Sequence, residues 1–381
     1  MIKMLEVKLG NIADITMGQS PQSEYYNSNG DGIPFLQGNR TFGDKYPMFD
    51  TYTTNPTKIA NAKDVIMSVR APVGDLNITP IRICLGRGVC SIHMKNENQE
   101  FLYYLMKHYV KDILNRESGT VFGSVNKNDI SSLIVKIPEQ IEDQKMISSI
   151  LSALDEKIEL NNSINQNLEA QAQAIFKSWF VDFEPFGGKM PKDWEIGKLG
   201  DIAYITMGQS PNGRSYNEEK IGCKFFQGRA EFGERFPQER LYTTEPKRIA
   251  KKNDILLSVR APVGDFNIAF DDCCIGRGLC SIRSKTNCQS FVLYTIWGAH
   301  GKLDLFNGEG TVFGSINKNS LNDLEVVIPS VEKMRQFEDI ASSLDNQIRK
   351  NFLENERLAQ LRDALLPKLM SGEIDVSEVA V

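Results

Sequence analysis

The stretch ISSILSALDEKIELNNSINQNLEAQAQAIFKSW, residues 147–179, steps by 4, 3, 4, 3 through Ile147, Leu151, Leu154, Ile158, Asn161, Asn165, Leu168, Ala172, Ile175 and Trp179. This is an unbroken a/d heptad seam, the pattern of a helix that packs along its length against another helix. Adding 190 to each number gives Phe337, Ala341, Leu344, Ile348, Asn351, Asn355, Leu358, Arg362, Leu365 and Leu369, a second seam with its polar pair at the same two steps. Asn161 and Asn165 lie symmetrically about residue 163, and Asn351 and Asn355 about residue 353. If the helices run antiparallel, amide meets amide and apolar meets apolar. Amides in a seam cost stability but fix register, because any slip buries them against leucine. The alternative is that the helices bend and the asparagines face water. A run of this length spans about 50 Å at roughly 1.5 Å per residue, which suits a spacer of fixed length. Pro367 is expected to kink or end the second helix near its last turn.

Outward from the helices, the chain is a tandem repeat. Leu9-Gly-Asn-Ile-Ala-Asp-Ile-Thr-Met-Gly-Gln-Ser-Pro21 returns as Leu199-Gly-Asp-Ile-Ala-Tyr-Ile-Thr-Met-Gly-Gln-Ser-Pro211 with 11 of 13 positions identical. Ser68-Val-Arg-Ala-Pro-Val-Gly-Asp75 returns unchanged at 258–265, Gly86-Arg-Gly88 at 276–278, and Gly119-Thr-Val-Phe-Gly-Ser124 at 310–315. The order is therefore domain, helix, domain, helix, and a duplication of this kind predicts a pseudo-twofold molecule. The expected fold class is α+β: two similar α/β globular domains separated by two long helices that form an antiparallel coiled coil. The boundaries are 1–140 for the first domain, 141–184 for the first helix, 185–330 for the second domain, 331–372 for the second helix and 373–381 for a tail. Pro185 and the following glycines end the first helix. Within each block, 65–69, 90–94, 133–137 and 255–259 read as strands and 99–115 as a helix. Segments 20–60 and 210–250, rich in Gly, Asn, Thr, Pro and aromatics, read as long ordered loops.

Composition sets limits on function. The 381 residues leave room for two domains of about 140 residues plus helices. No apolar run approaches a membrane span and the start is no signal peptide. Seven cysteines without a C-x-x-C pair fit a reduced, cytoplasmic protein. Cys84 and Cys90 recur as Cys274 and Cys280; with only three histidines in the chain, buried thiols are favoured over a metal site. The net charge of −5 sits on the helices, while residues 1–140 carry 15 basic and 14 acidic side chains and residues 181–330 carry 19 of each. Neutral blocks can still present basic faces locally.

The order of segments resembles the specificity subunits of type I restriction–modification enzymes. The residues that carry the resemblance are Ile137-Pro-Glu-Gln140 and Gln144-Lys-Met-Ile147 leading into Leu154-Asp-Glu-Lys-Ile158, its copy Leu344-Asp-Asn-Gln-Ile348, and Ala174-Ile-Phe-Lys-Ser-Trp-Phe-Val-Asp-Phe-Glu-Pro-Phe186. Trp194 to Gly200, running on to Asp201, looks like the family's opening to a target recognition domain; the first domain has Met4 where Trp194 sits, so its entry is expected to pack differently. The resemblance implies a chain that catalyses nothing itself. Each domain would read one half of a split sequence in double-stranded DNA, with the helices setting the gap. The helices would also dock two methyltransferase (M) subunits, and the complex would recruit restriction/motor (R) subunits. No cofactor is implied in this chain; S-adenosylmethionine, ATP and Mg are expected on the partners. Missing motifs agree: there is no Asn/Asp-Pro-Pro-aromatic run, no G-x-x-x-x-G-K-[ST] phosphate loop and no Pro-Asp followed by Glu-x-Lys. Gly86-Arg87-Gly88 is too short for a dinucleotide site.

Candidate DNA contacts come in repeated pairs, each with a plain structural alternative. Gln19, Ser20, Gln209 and Ser210 sit in turns; glutamine suits adenine N6/N7 and serine suits phosphate, against ordinary turn chemistry. Gln37, Asn39 and Arg40 correspond in the repeat to Gln227, Arg229 and Ala230, a polar stretch where the copies differ, which makes it the preferred base-reading segment, against a drifting surface loop. Arg70 and Arg260 suit phosphate or guanine, unless Asp64, Asp75 or their copies pair with them. Arg87 and Arg277 lie between glycines that let backbone approach closely, which favours phosphate. Thr120, Ser124 and Lys127, with Thr311, Ser315 and Lys318, suit a phosphate in a Gly-rich loop, or are structural. Trp179, Phe180, Phe183 and Phe186 either pack on the second domain or offer a docking surface to a methyltransferase subunit. Near-copied domains further predict half-sites that form an imperfect inverted repeat. The rival reading is a non-catalytic duplicated scaffold that binds proteins through its helices, which steep salt-dependent DNA binding would exclude. A self-sufficient methyltransferase would need a cofactor motif that the chain lacks.

Overall fold

A computed structural model describes residues 2–115, 123–308 and 314–376. The chain divides into two compact units, one made of residues 1–161 and 353–381, the other of residues 162–352. The first long helix is Ile141–Phe180 and the second Val331–Ser371. Each unit therefore contains one half of each helix, and in each unit the halves run antiparallel.

In the first unit Asp155 meets Arg362, and Asn161 donates to Glu354 Oε2 at 2.9 Å and to Asn355 Oδ1 at 2.8 Å. In the second, Asn351 donates to Asn165 Oδ1 at 2.8 Å and accepts from Gln347 at 2.7 Å. Asn161 and Asn351 are buried, so these amide pairs satisfy groups that would otherwise be stranded in the seam. Arg362, the one charged seam residue, bonds Asp155 Oδ1 at 2.6 Å. Pro367 does not end its helix, which runs on to Ser371. The backbone bond that Pro367 loses is offset by burial, since Leu369 and Met370 just beyond it lie in the first unit's core.

The globular part of each unit is built the same way. A four-stranded antiparallel sheet has the order Ala13–Met17, Val89–Met94, Val65–Ser68, Leu76–Ile78, and its copy the order Ala203–Met207, Leu279–Ser284, Ile255–Ser258, Phe266–Ile268. Val65–Ser68 reads as a continuous apolar run because both faces are covered. Val65 and Met67 face the main core with the helix Gln99–Leu114, while Ile66 faces a smaller cluster with Leu36, Ala60, Ile83, Leu85 and Val89. Fully burying each such aliphatic side chain contributes about 1.5–3 kcal/mol.

That smaller cluster belongs to a sheet unforeseen in the sequence. Segments expected to be loops contain Tyr26–Asn27, Ile33–Leu36, Tyr52–Thr53 and Ile59–Ala60, which join Ile83–Leu85 in five strands; Ile33–Leu36 and Ile83–Leu85 pair in parallel. Strands of two to four residues are too short to show a period of two. A third, two-stranded sheet pairs Met4–Lys8 with Ile134–Pro138, so Pro138 closes that strand rather than lying beyond it. The copies differ at the core helix. Gln99–Leu114 is capped by Asn98, whereas its counterpart stops at Gly298 and restarts as His300–Asp304, as Gly298 and Gly301 weaken helix propagation.

Candidate nucleic-acid interface

In the first unit, four loop segments are tied together by main-chain bonds. Gln19 N donates to Leu85 O at 2.9 Å, Gly86 N to Leu36 O at 2.7 Å, Gly88 N to Gln37 O at 2.9 Å and Val69 N to Gly88 O at 2.9 Å. Val125 N donates to Val69 O at 3.1 Å, and Arg70 and Ser124 form a β-bridge. Gln19, Gln37, Arg70, Arg87 and Ser124 are thereby gathered on connected loops, with Lys127 opening the short helix Lys127–Ser131. The second unit repeats the arrangement: Gln209 bonds Ile275, Gly278 bonds Gln227, Val259 bonds Gly278, Ile316 bonds Val259, and Arg260 bridges Ser315. Thr120 and Thr311 lie outside the described residues.

The glycines serve the protein's own packing. A Cβ on Gly18 would lie 2.0 Å from Gly86 O, and one on Gly88 would lie 2.5 Å from Gln37 O. Gly86-Arg87-Gly88 thus lets three chain segments meet and thrusts Arg87 outward between them. Ser20 and Ser210 are likewise engaged: each hydroxyl oxygen accepts the N–H of Arg87 or Arg277 at 3.2 Å, which holds the tight turn.

Among the described residues, Arg70, Arg87, Arg260 and Arg277 are exposed and none has a side-chain hydrogen bond or ion pair. The acids that might have neutralised them are occupied. Asp64 bonds His93 Nδ1 at 2.7 Å, and its counterpart Asp254 holds Arg283 through two bonds at 2.6 and 2.7 Å. Asp75 accepts from Asn39, and Asp265 from Arg229. In the second unit Gln227, Arg229, Arg260 and Arg277 line a single recess of about 410 Å³ with Glu231 as its acid. In the first, Gln37, Asn39 and Arg40 line one of about 280 Å³, where Arg40 is paired with Asp50 at 2.7 Å. The Arg40 hydrogen bonds hold the Asp50 carboxyl below its usual range, so that pair stays ionised. Both recesses are concave; the second unit's is basic, whereas in the first Arg40 is balanced by Asp50, and the lining amides and guanidinium groups suit phosphate and base edges.

The exchange of His93 for Arg283 makes one unit responsive to pH. Burial of the ring opposes protonation of His93, but the bonds to Asp64 and Glu97 outweigh it and raise its pKa above 6.5. The stabilisation is full below about 6.5 and is lost as pH rises through the raised folded-state value. His93→Arg is expected to abolish this loss, read as amide exchange at Ile92 corrected for intrinsic rates. A variant with the same pH dependence as the parent would show that Asp64 does not depend on this partner.

The aromatic cluster faces inward. Phe180 is only 2% exposed, its ring 5.5 Å from Trp194 and packed edge-on to Phe291 and Phe337. Phe183 and Phe186 pack on Trp194, and Trp179 on Phe337. Phe180 is therefore unavailable for docking, because it is core; the other three are partly buried. In the first unit the matching entry residue Met4 packs beside the Gly372 turn instead.

Cys84, Cys90, Cys274 and Cys280 are buried free thiols, and burial pushes the Cys90 thiol up to about 12. Among the described residues there is no group of three His, Cys, Asp or Glu able to hold a metal, and no helix long and apolar enough to cross a membrane.

Residues 1–170 and 191–363 match the family described as type I restriction modification DNA specificity domain. A putative type I restriction enzyme MjaX specificity subunit of Methanocaldococcus jannaschii is 33% identical over 293 residues, covering 72% of this chain and 68% of that one. The type I restriction enzyme HindI specificity subunit of Haemophilus influenzae is 26% identical over 357 residues, covering 72% of this chain and 77% of that one. The crystal structure of a type I restriction–modification S subunit from M. genitalium shares the fold with a TM-score of 0.63 at 17% identity, covering 97% of this chain and 96% of that one.

Proposed function

The chain belongs to the type I restriction–modification DNA specificity family, and on that footing we propose that each unit reads one half of a bipartite target in double-stranded DNA. The observation that carries this reading is the repetition of unpaired arginines at matched places, Arg70 and Arg87 in one unit and Arg260 and Arg277 in the other, beside matched glutamines Gln37 and Gln227. Phosphate contacts from arginine set position, and glutamine can read a base edge. Gln19, Gln209, Ser124, Ser315, Lys127 and Lys318 are proposed to extend the same surfaces. Because the reading residues are nearly copied, the half-sites should be alike at most positions.

The chain recognises DNA and leaves catalysis to others. Methyltransferase subunits, two in number, would dock on the long helices and carry S-adenosylmethionine; restriction/motor subunits would carry ATP and Mg. The work would be done in the cytoplasm. Asn161, Asn165, Asn351 and Asn355 would hold the helices in register, and the helices would set the gap between half-sites.

Lengthening the helices tests the ruler. Seven residues added to both, between Asn161 and Asn162 and between Phe352 and Leu353, leave each unit's own helix pair intact. One heptad adds about 10 Å, which at roughly 3.4 Å per base pair should lengthen the unspecified gap by about three base pairs. Mapping of modified bases in cells that carry the altered chain and its partners reads the result. An unchanged gap would refute the ruler, and a continuous target would refute bipartite reading.

A further inference from the structure

What separates the two reading surfaces is as informative as what they share: residue 39 is asparagine where its counterpart, residue 229, is arginine. Both are held by the same repeated acid. Asn39 donates Nδ2–H to Asp75 Oδ2 at 2.5 Å, and Arg229 donates Nε–H to Asp265 Oδ2. The aspartates are themselves fixed. Asp75 N donates to Ser68 Oγ at 2.9 Å and Ser68 N to Asp75 O at 2.9 Å; Ser258 N donates to Asp265 O at 2.8 Å.

Among the described residues each aspartate takes a single side-chain donor, and the remaining polar atoms of Asn39 and Arg229 are left to read. Arg229 keeps both terminal nitrogens, the fork that fits O6 and N7 of guanine. Asn39 keeps its Oδ1 acceptor and its second Nδ2 hydrogen, the pair that fits N6 and N7 of adenine. A carboxylate on Nε also fixes the guanidinium plane before DNA arrives, which lowers the ordering cost of binding. The adjacent difference does not compete. Arg40 is drawn to Asp50 by two bonds at 2.9 and 2.7 Å, and its counterpart Ala230 has no polar side chain.

We infer that Asn39 and Arg229 determine specificity, with Asp75 and Asp265 as their positioning residues, so that the first unit's half-site has adenine where the second's has guanine. This rests on the proposed reading of the two loop surfaces as base-reading faces.

The test is selection from randomised duplexes by the full chain in complex with its methyltransferase subunits. The unaltered complex should enrich two half-sites that differ as adenine against guanine at one matched position. Arg229→Asn should replace that guanine by adenine and leave every other position alone; Asn39→Arg should do the reverse. Asp265→Ala should cut the preference for guanine about tenfold, and Asp265→Asn, which keeps an acceptor oxygen, should restore most of it. A merely structural aspartate would change total binding and not the ratio of bases. Unaltered base preference in both exchanged variants overturns the inference and leaves half-site reading standing. No enriched sequence from the unaltered complex overturns that reading and the inference with it.

Discussion

Asp345→Ala is expected to destabilise the second unit by about 3–5 kcal/mol, the range for removing one partner of a buried ion pair. Asp345 is 17% exposed and its carboxylate accepts from Ser290 Oγ at 2.6 Å, from the Tyr294 hydroxyl at 2.9 Å and from the Arg235 guanidinium. Arg235 is itself only 10% exposed, with Glu169 as its second acid at 3.0 Å and its Nε already without a partner. Alanine would strand most of that cation and one phenol. The counterpart in the first unit is milder. Asp155 accepts from the Tyr104 hydroxyl and from Arg362, each at 2.6 Å, but Arg362 is a fifth exposed and keeps Asp363. Asp155→Ala should cost about 1–3 kcal/mol, chiefly for the unsatisfied Tyr104 hydroxyl.

The experiment is unusually clean, because all three tryptophans, Trp179, Trp194 and Trp297, lie in the second unit. Tryptophan fluorescence in urea follows that unit alone. With a slope of about 2–3 kcal/mol/M, the midpoint for Asp345→Ala should fall by about 1–2.5 M, with a smaller fall for Asp345→Asn. A midpoint within about 0.3 M of the parent would mean that Glu169 alone suffices for Arg235.

This network shows where sequence reading stops. The helices were legible because a heptad seam is a local, periodic signal, and the asparagine positions alone implied an antiparallel pairing. The central strands were legible as short apolar runs. The five-stranded sheets were not, since Tyr26–Asn27 and Ile59–Ala60 are too brief to carry a period. Arg235 and Asp345 lie 110 residues apart, and no spacing rule links them. A signal did exist: Tyr104 and Asp155 recur at Tyr294 and Asp345 with the same offset of 190. At the candidate interface, the repeat picks out Arg70, Arg87 and their copies, but only geometry reveals that Asp64, Asp75, Asp254 and Asp265 are spent elsewhere. Likewise Asp75 and Asp265 as holders of Asn39 and Arg229 were invisible in sequence, because each pair closes over 36 residues of loop and strand.

The combined change of Arg70, Arg87, Arg260 and Arg277 to alanine should have the largest effect on binding. Each phosphate contact contributes about −0.9 to the slope of log K against log salt concentration, so removing four such arginines together should flatten that slope by about 3.6. At 0.1 M salt the same relation predicts affinity lower by about three and a half orders of magnitude, equally for all sequences if the four arginines hold phosphates. Should one repeated pair read guanine instead, loss would concentrate on the cognate sequence and the slope would change less. The fold offers no competing explanation. Among the described residues none of the four side chains has a hydrogen bond or ion pair, and surface changes of this kind move stability by about 0.5 kcal/mol or less. Urea unfolding of the variant should therefore match the parent, in contrast to Asp345→Ala. Unchanged affinity and slope in a variant that unfolds like the parent would remove these arginines from the DNA-binding surface.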